Sequence, residues 1–252
     1  MRELNLLDSA PKANRIIQEG WRKEENKIIA KQYGKEFFDG DRVNGYGGYY
    51  YDGRWKKVVE KLKQVYGINE NSSVLDIGCG KGFLLHDLQD MIPGIKVAGI
   101  DISEYAINKA LDKLGIHTMK QRTGKQESEL TEEELEEAKI IEEQAREKVL
   151  PHMIIGSCEK LPYPDKSFDV VLAINTIHNL PEEKCFKAIK EIMRVCKPNG
   201  KMFIQVDAYK TEEEKKRMQY WILTAETFKS ADEWIAFYQQ AGYTGDYYWT
   251  VF

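Results

Sequence analysis

The chain has 252 residues, a formal net charge of −4, and side chains that are 42% hydrophobic and 31% charged. This balance suits one large globular core with decorations; it supplies no basic stripe for a nucleic-acid backbone and no uncharged apolar run of the roughly 18–20 residues a membrane span needs. The start, MRELNLLDSAPKANR, lacks the apolar core of a secretion signal, and Cys79, Cys158, Cys185 and Cys196 lie scattered without a C-x-x-C pair or nearby histidines, so the expectation is a cytoplasmic protein with reduced thiols, no metal and a small-molecule partner.

Ile16, Ile17, Trp21, Ile28 and Ile29 fall at helical spacing and predict a helix over 13–33. A loop follows, FFDGDRVNGYGGYYYDGRW (37–55), which is too aromatic for an ordinary connection and too glycine-rich for a helix. Trp55, Val58, Val59 and Leu62 then predict a helix over 54–66. SSVLDIG is a short apolar run ending in glycine, as a buried parallel strand reads, and KVAGIDI, HMIIG, FDVVLAIN and KMFIQVD repeat that signature with helical segments between most of them. Strands alternating with helices specify an α/β doubly wound fold, a parallel sheet covered on both faces.

One interval departs from the alternation. Between the helix predicted at SEYAINKALDKLG and the third of these strands lie about thirty-five residues. Thr131 and Glu134 match a capping box, Ala138, Ile141, Ala145 and Val149 make a helical stripe, and Pro151 stops it. This inserted helix reads either as a solvated surface helix with one docked face or as a lid or homodimer contact.

Ligands of open parallel sheets bind outside the carboxyl ends of the strands. The first loop there is VLDIGCGKGFLL, in which Gly78, Gly80 and Gly82 let backbone N–H groups approach a ligand closely. Asp101, 23 residues after Gly78 at the tip of the second strand, has the position and chemistry to accept hydrogen bonds from a ribose diol. Together they imply an adenosine-containing cofactor. A dinucleotide fingerprint would need glycine where Phe83 stands, and no P-loop lysine with serine or threonine follows.

VLDIGCGKG resembles the first motif of the class I S-adenosylmethionine-dependent methyltransferases, and VAGIDISEYAINKA resembles their second. GSCEKLPYPDKSFDVVLAINTIHNLPE and EIMRVCKPNGKMFIQV are similar to the later motifs in order and spacing. The resemblance covers residues 70–252 and implies a seven-stranded, mainly parallel sheet. WILTA would be its sixth strand, ADEWIAFYQQAGY a helix, and DYYWTVF a last strand inserted antiparallel between the fifth and sixth. It also implies a division into an N-terminal helical cap and substrate lid (1–69) and a cofactor-binding domain (70–252) with a helical insertion (119–150).

By the same resemblance, Asp76 and the Gly78, Cys79, Gly80, Gly82 loop lie along the methionine and ribose parts of S-adenosylmethionine, Asp101 holds the ribose hydroxyls, and Ile102 packs on the adenine face. Ser157, Cys158 and Glu159 stand in a stretch that often reads G-D-A-E-x-L-P in the family. Ser157 replaces an aspartate that accepts from the adenine amino group, a contact a hydroxyl can also make, and the Cys158 backbone N–H would serve the ring. Asn175 would face the amino-acid end of the cofactor.

Methyl transfer needs alignment, plus a base where the nucleophile is a hydroxyl. His178 is the candidate base, with a structural role in capping the following helix as the alternative; Asp207 and Tyr209 are candidates for substrate contact. The loop at 37–55 would cover the substrate. Arg42 and Arg54 would pair with a phosphate or carboxylate, the glycines Gly45, Gly47 and Gly48 would form an anion-binding concavity, and Tyr46, Tyr49, Tyr50, Tyr51 and Trp55 would offer aromatic faces. An aromatic-stapled cap is the structural alternative. The stretch resembles a leader of bacterial methyltransferases of surface-polysaccharide biosynthesis that act on nucleotide- or sugar-linked molecules. The expected reaction is O-methylation of an anionic small molecule; N-methylation of an amine and a non-catalytic cofactor-binding subunit remain as alternatives. Asn175-Thr176-Ile177-His178 lacks the loop type used on exocyclic amines of nucleic acids.

Overall fold

The computed structural model describes residues 1–8 and 17–251, and among these it has eight parallel-paired strands and ten α-helices. In chain order they are β1 (Arg2–Glu3), α1 (Glu24–Ala30), α2 (Lys35–Phe38), α3 (Trp55–Tyr66), β2 (Ser73–Ile77), α4 (Phe83–Met91), β3 (Lys96–Asp101), α5 (Glu104–Asn108), α6 (Leu114–Thr123), α7 (Glu132–Val149), β4 (Met153–Ile155), β5 (Phe168–Ile174), α8 (Glu182–Val195), β6 (Cys196–Tyr209), α9 (Glu212–Trp221), β7 (Lys229–Ser230), α10 (Ala231–Ala241) and β8 (Asp246–Thr250). The sheet order is β1-β8-β6-β5-β2-β3-β4, with β7 beside the end of β6. Strands after β2 step one way to β3 and β4, and those after β5 step the other way to β6 and β8. The crevice between β2 and β5 is therefore the topological switch point, where an open sheet offers a ligand site at its carboxyl edge.

Both faces of the sheet are covered. Ile189 and Ile192 of α8 and Trp234 and Tyr238 of α10 pack on one face; Val58 and Leu62 of α3 and Leu84 and Leu88 of α4 pack on the other. All five residues of β2 are buried, which is why SVLDI reads as a continuous run rather than an alternation. No helix among the described residues is long and apolar enough to cross a membrane.

The class and the strands from β2 to β6 are as the sequence predicts; four details are not. The helix expected over 13–33 is only α1: residues 13–16 lie outside the described residues, and Gly20, at φ +73°, turns the chain before Glu24. The segment SEYAINKALDKLG breaks after α5, with Leu111 and Lys113 both at positive φ. Tertiary hydrogen bonds hold that turn, from Leu111 N–H to the Lys81 carbonyl (2.9 Å) and from Tyr51 N–H to the Asp112 carbonyl (3.0 Å). WILTA is not a strand; Trp221 ends α9 and a loop follows. Finally, β8 runs parallel to β6, with Phe203 opposite Asp246 and Asp207 opposite Thr250. The α10 helix carries the chain back along the sheet before β8 starts, and a strand reached by such a crossover re-enters in the same direction. The carboxyl end of β8 therefore joins the ligand edge.

The inserted helix α7 has the Thr131 and Glu134 capping box, and Ala138, Ala145 and Val149 are buried. It docks on α6, where a Cβ at Gly115 would lie 1.8 Å from the Ala138 carbonyl oxygen.

Candidate active site

Loops from the carboxyl ends of the strands and the 37–55 leader enclose a cavity of about 1630 Å³. The first loop begins at Gly78, whose N–H donates to the Ile100 carbonyl (2.7 Å). Gly78 sits at φ +79°, and a Cβ there would lie 2.1 Å from Thr176 Oγ1, so strain and collision both demand glycine. Gly82, at φ +74°, faces the opposite way: its Cβ would meet Met153 Sδ at 2.6 Å. It seats α4 against β4 and does not line the cavity.

Asp101 closes the loop from the neighbouring strand. One carboxylate oxygen accepts from Gly80 N–H and the other from Ser103 N–H, each at 2.8 Å. Burial raises its pKa and these two donors oppose the rise. Asp76, at the tip of β2, is buried and is pushed up to about 7 by burial and by the charge of Asp101. Ile102 is 56% exposed at the cavity wall and offers an apolar surface there. Cys79, Gly80, Ser157, Cys158 and Glu159 also line the cavity. Ser157 Oγ bonds with the Glu159 N–H and carboxylate (both 3.3 Å), and Glu159 pairs with Lys184.

Asn175 ends β5 at φ +54°, a conformation asparagine tolerates better than most residues. Its Oδ1 accepts from Thr250 Oγ1 (2.8 Å), which in turn accepts from Gln205 Nε2 (3.1 Å). Thr250 and Gln205 both line the cavity, and Thr250 is there because β8 is parallel.

His178 is buried at the cavity wall. Its Nδ1 accepts from the Asp207 backbone N–H (3.3 Å), which leaves the proton on Nε2, 3.6 Å from Asp207 Oδ2. Burial lowers its pKa against the opposing pull of Asp207, so the ring is neutral near pH 7. His178 also anchors the following loop, its carbonyl accepting from Glu226 and Thr227 (both 3.0 Å). His178, read from the sequence as either a base or a structural residue, thus sits beside Asp207.

The leader divides. Arg42, Tyr46, Tyr49, Tyr50, Arg54 and Trp55 line the cavity; Tyr51 and Tyr209 do not. Tyr51 is buried, its hydroxyl donating to Asp87 Oδ1 (2.5 Å) and its ring meeting Phe83, His86 and His117 edge-on. It pins the leader to α4. Tyr209 packs on Phe228 and bonds Glu233 (3.4 Å) outside the cavity. Arg54 is held by Asp52 through Nε and Nη2 at 2.6–2.9 Å, and Arg42 Nη1 donates to the Gly45 and Tyr46 carbonyls. Within the expected anion concavity at Gly45, Gly47 and Gly48, three N–H groups are already committed, Tyr46 N–H to the Phe37 carbonyl, Gly48 N–H to the Phe38 carbonyl and Tyr49 N–H to Asp39.

The sequence reading misses the residue that joins leader to cofactor loop. Lys81, wholly buried, donates to both oxygens of Asp39 (2.8 Å each) and to Asp112 Oδ2 (2.9 Å). Asp39 also accepts from Tyr105 hydroxyl (2.7 Å) and Tyr49 N–H (3.1 Å), and the Tyr49 ring lies over Gly80. A lysine inside a glycine loop flanked by aspartate-bearing segments was the available signal, but its partners are 42 and 31 residues distant.

A family model described as a methyltransferase domain matches residues 48–246. The chain belongs to the methyltransferase-domain family. It is 31% identical over 62% of its length to a sterol 4-C-methyltransferase of Caenorhabditis elegans, and 26% identical over 58% to a 27-O-demethylrifamycin SV methyltransferase of Amycolatopsis mediterranei. It spans 36% and 42% of the lengths of those two relatives. A solved structure of a SAM dependent methyltransferase from Aquifex aeolicus, 21% identical, aligns over 86% of each chain with a TM-score of 0.47. The cofactor that the sequence resemblance implies is S-adenosylmethionine. The donor set fits it, with a buried acid, Asp76, for a cation, a carboxylate on the neighbouring strand for hydroxyls, an exposed apolar side chain for a purine face, and a turn into which no Cβ intrudes.

Proposed function

We propose that this methyltransferase domain methylates a hydroxyl of an anionic small molecule, one bearing phosphate or carboxylate. The observation that carries the reading is one cavity of about 1630 Å³ lined by both the cofactor loop and the leader. Single small-ligand pockets run to roughly 300–1,000 Å³, so a cofactor and an acceptor fit side by side. Support for a small-molecule acceptor comes from relatives named for a sterol and a rifamycin. The leader's resemblance puts nucleotide- and sugar-linked metabolites of polysaccharide assembly first among acceptors to screen.

S-adenosylmethionine supplies a methyl group already activated by its positive sulfur. The chain's part is to bind, align and exclude water. Asp101 would take the ribose hydroxyls, Ile102 and residues 157–159 the adenine, and Asp76 and Asn175 the amino-acid end. Tyr46 and Tyr49, whose tilted rings have centroids 4.7 Å apart, would roof the acceptor. The carboxylate of Asp207 would take the hydroxyl proton, with the Nε2–H of His178 facing that carboxylate at 3.6 Å.

The test is a labelled methyl-transfer screen over phosphate-bearing metabolites, nucleotide sugars, hydroxy acids and simple amines. A phosphate- or carboxylate-bearing alcohol should be methylated, and His178→Gln should lower kcat about 100-fold. Transfer to amines alone would overturn O-methylation, and an unchanged rate in the variant across pH would remove the pair from the mechanism.

A further inference from the structure

We infer that Arg22, Arg42 and Arg217, gathered about Trp221, form the subsite that receives the acceptor's anionic group. The inference rests on the anionic acceptor proposed above and moves its counter-charge away from Arg54, whose guanidinium Asp52 already occupies.

The Arg22 guanidinium lies 4.1 Å from the centroid of a Trp221 ring and that of Arg42 lies 5.3 Å from one, so two like charges share one indole. Arg22 also stacks on Trp21 at 5.0 Å. Among the described residues, its Nη1 and Nη2 donate only to neutral carbonyls, those of Trp221, Arg42 and Gly45, and no carboxylate pairs with it. Part of this is structural, since a cation at the last carbonyl of α9 caps that helix. Capping does not explain why a second and a third guanidinium join it. Arg217 precedes Trp221 by one helical turn, on the same face of α9, and among the described residues has no ion pair or hydrogen bond. All four side chains line the cavity.

Among the described residues, no carboxylate of the cavity forms an ion pair with Arg22 or Arg217. Glu226 pairs with Lys31, Glu159 pairs with Lys184, and Asp207 faces His178. Asp76 and Asp101 stand on β2 and β3, across β5 from β6. The cost of the clustering registers on Arg22, whose pKa is lowered to about 10 by burial and by Arg42. Guanidiniums match phosphate and carboxylate oxygens in planar, paired fashion, and their weak hydration suits a half-enclosed site. An anion bridging them would relieve the repulsion. Aromatic surface at Trp221 and Tyr46 beside the charges fits an anion attached to a ring rather than a free ion.

The test is calorimetry at low ionic strength on the full chain, titrating pyrophosphate and, separately, succinate, each with and without saturating S-adenosylhomocysteine. One site is expected. Arg217→Gln and Arg22→Met should each weaken it at least tenfold, while Lys201→Gln, which removes the same charge from an exposed position near the opposite end of β6, should leave it unchanged. Arg217→Gln changes an exposed side chain and keeps the test decisive if Arg22→Met unfolds. Tighter pyrophosphate assigns a phosphoryl group, and tighter succinate a carboxylate. Equal weakening by Lys201→Gln, or no anion binding by a protein that binds S-adenosylhomocysteine, overturns the subsite and leaves the methyltransferase reading standing. Anion binding without S-adenosylhomocysteine binding does the reverse.

Discussion

The two halves of the cavity are built differently. The side proposed for the cofactor, from Asp76 to Ile102, is held by backbone N–H groups donating at the ends of two adjacent strands: Gly78 to the Ile100 carbonyl, and Gly80 and Ser103 to the Asp101 carboxylate. The leader side is held by side chains reaching across the chain, Lys81 to Asp39 and Asp112, Tyr51 to Asp87, Arg22 to Trp221. The first kind of construction leaves a motif in the sequence, because glycine spacing and a strand-end acid are themselves the structure. The second leaves only a composition.

That comparison is sharpest at Lys81, which belongs to both halves. Lys81→Met would leave Asp39 and Asp112 facing each other without their cation, and breaking a buried pair in this way costs about 3–5 kcal/mol. Thermal or denaturant unfolding should show that loss. Hydrogen exchange should quicken across residues 37–55 and hold steady in β2 and β3; uniform exchange would mean the two sides are one unit. Asp101→Ala should act on the other side only. Removing a charged acceptor should cost about 2–3 kcal/mol, or roughly 100-fold in S-adenosylmethionine affinity by calorimetry, with leader exchange unchanged. If affinity is unaltered, the ribose contact is wrong.

Much of the first half was legible and little of the second. Asp101, Ile102 and Asn175 fall at strand ends, where a strand signature followed by a loop is enough to place them. Tyr51 carried the same aromatic signal as Tyr46 and Tyr49, yet it is buried against Asp87 while they face the cavity; alternation along the leader does not say which tyrosine finds a buried carboxylate. Leu111 and Lys113 have good helix formers around them, and the turn they make is imposed from outside by Lys81 and Tyr51. The direction of β8 depends on where α10 returns the chain, and that placed Thr250 beside Asn175 unannounced. Trp221 was read as strand because the family resemblance implies a sixth strand at WILTA, whereas α9 runs through it and its carbonyl caps onto Arg22.

Two smaller effects probe each half separately. Asp76 is raised to about 7, so it is protonated below that pH and anionic above it. A cationic cofactor favours the anion, so S-adenosylmethionine affinity should rise as pH increases from 5.5 to 7 and flatten beyond, by up to about tenfold per pH unit. Asp76→Asn should abolish the slope; a slope that persists in the variant would assign the titration elsewhere. On the leader side, Arg54→Ala removes a partly exposed pair with Asp52 and should change stability by less than about 1 kcal/mol in denaturant unfolding. A larger loss would mean Arg54 holds more of the leader than Asp52 alone.

The most direct measurement of the central claim is calorimetry of the full chain with S-adenosylmethionine, S-adenosylhomocysteine and NAD. The account predicts saturable binding of the first two and none of the third. Binding of NAD, with no heat from either S-adenosyl compound, would contradict it.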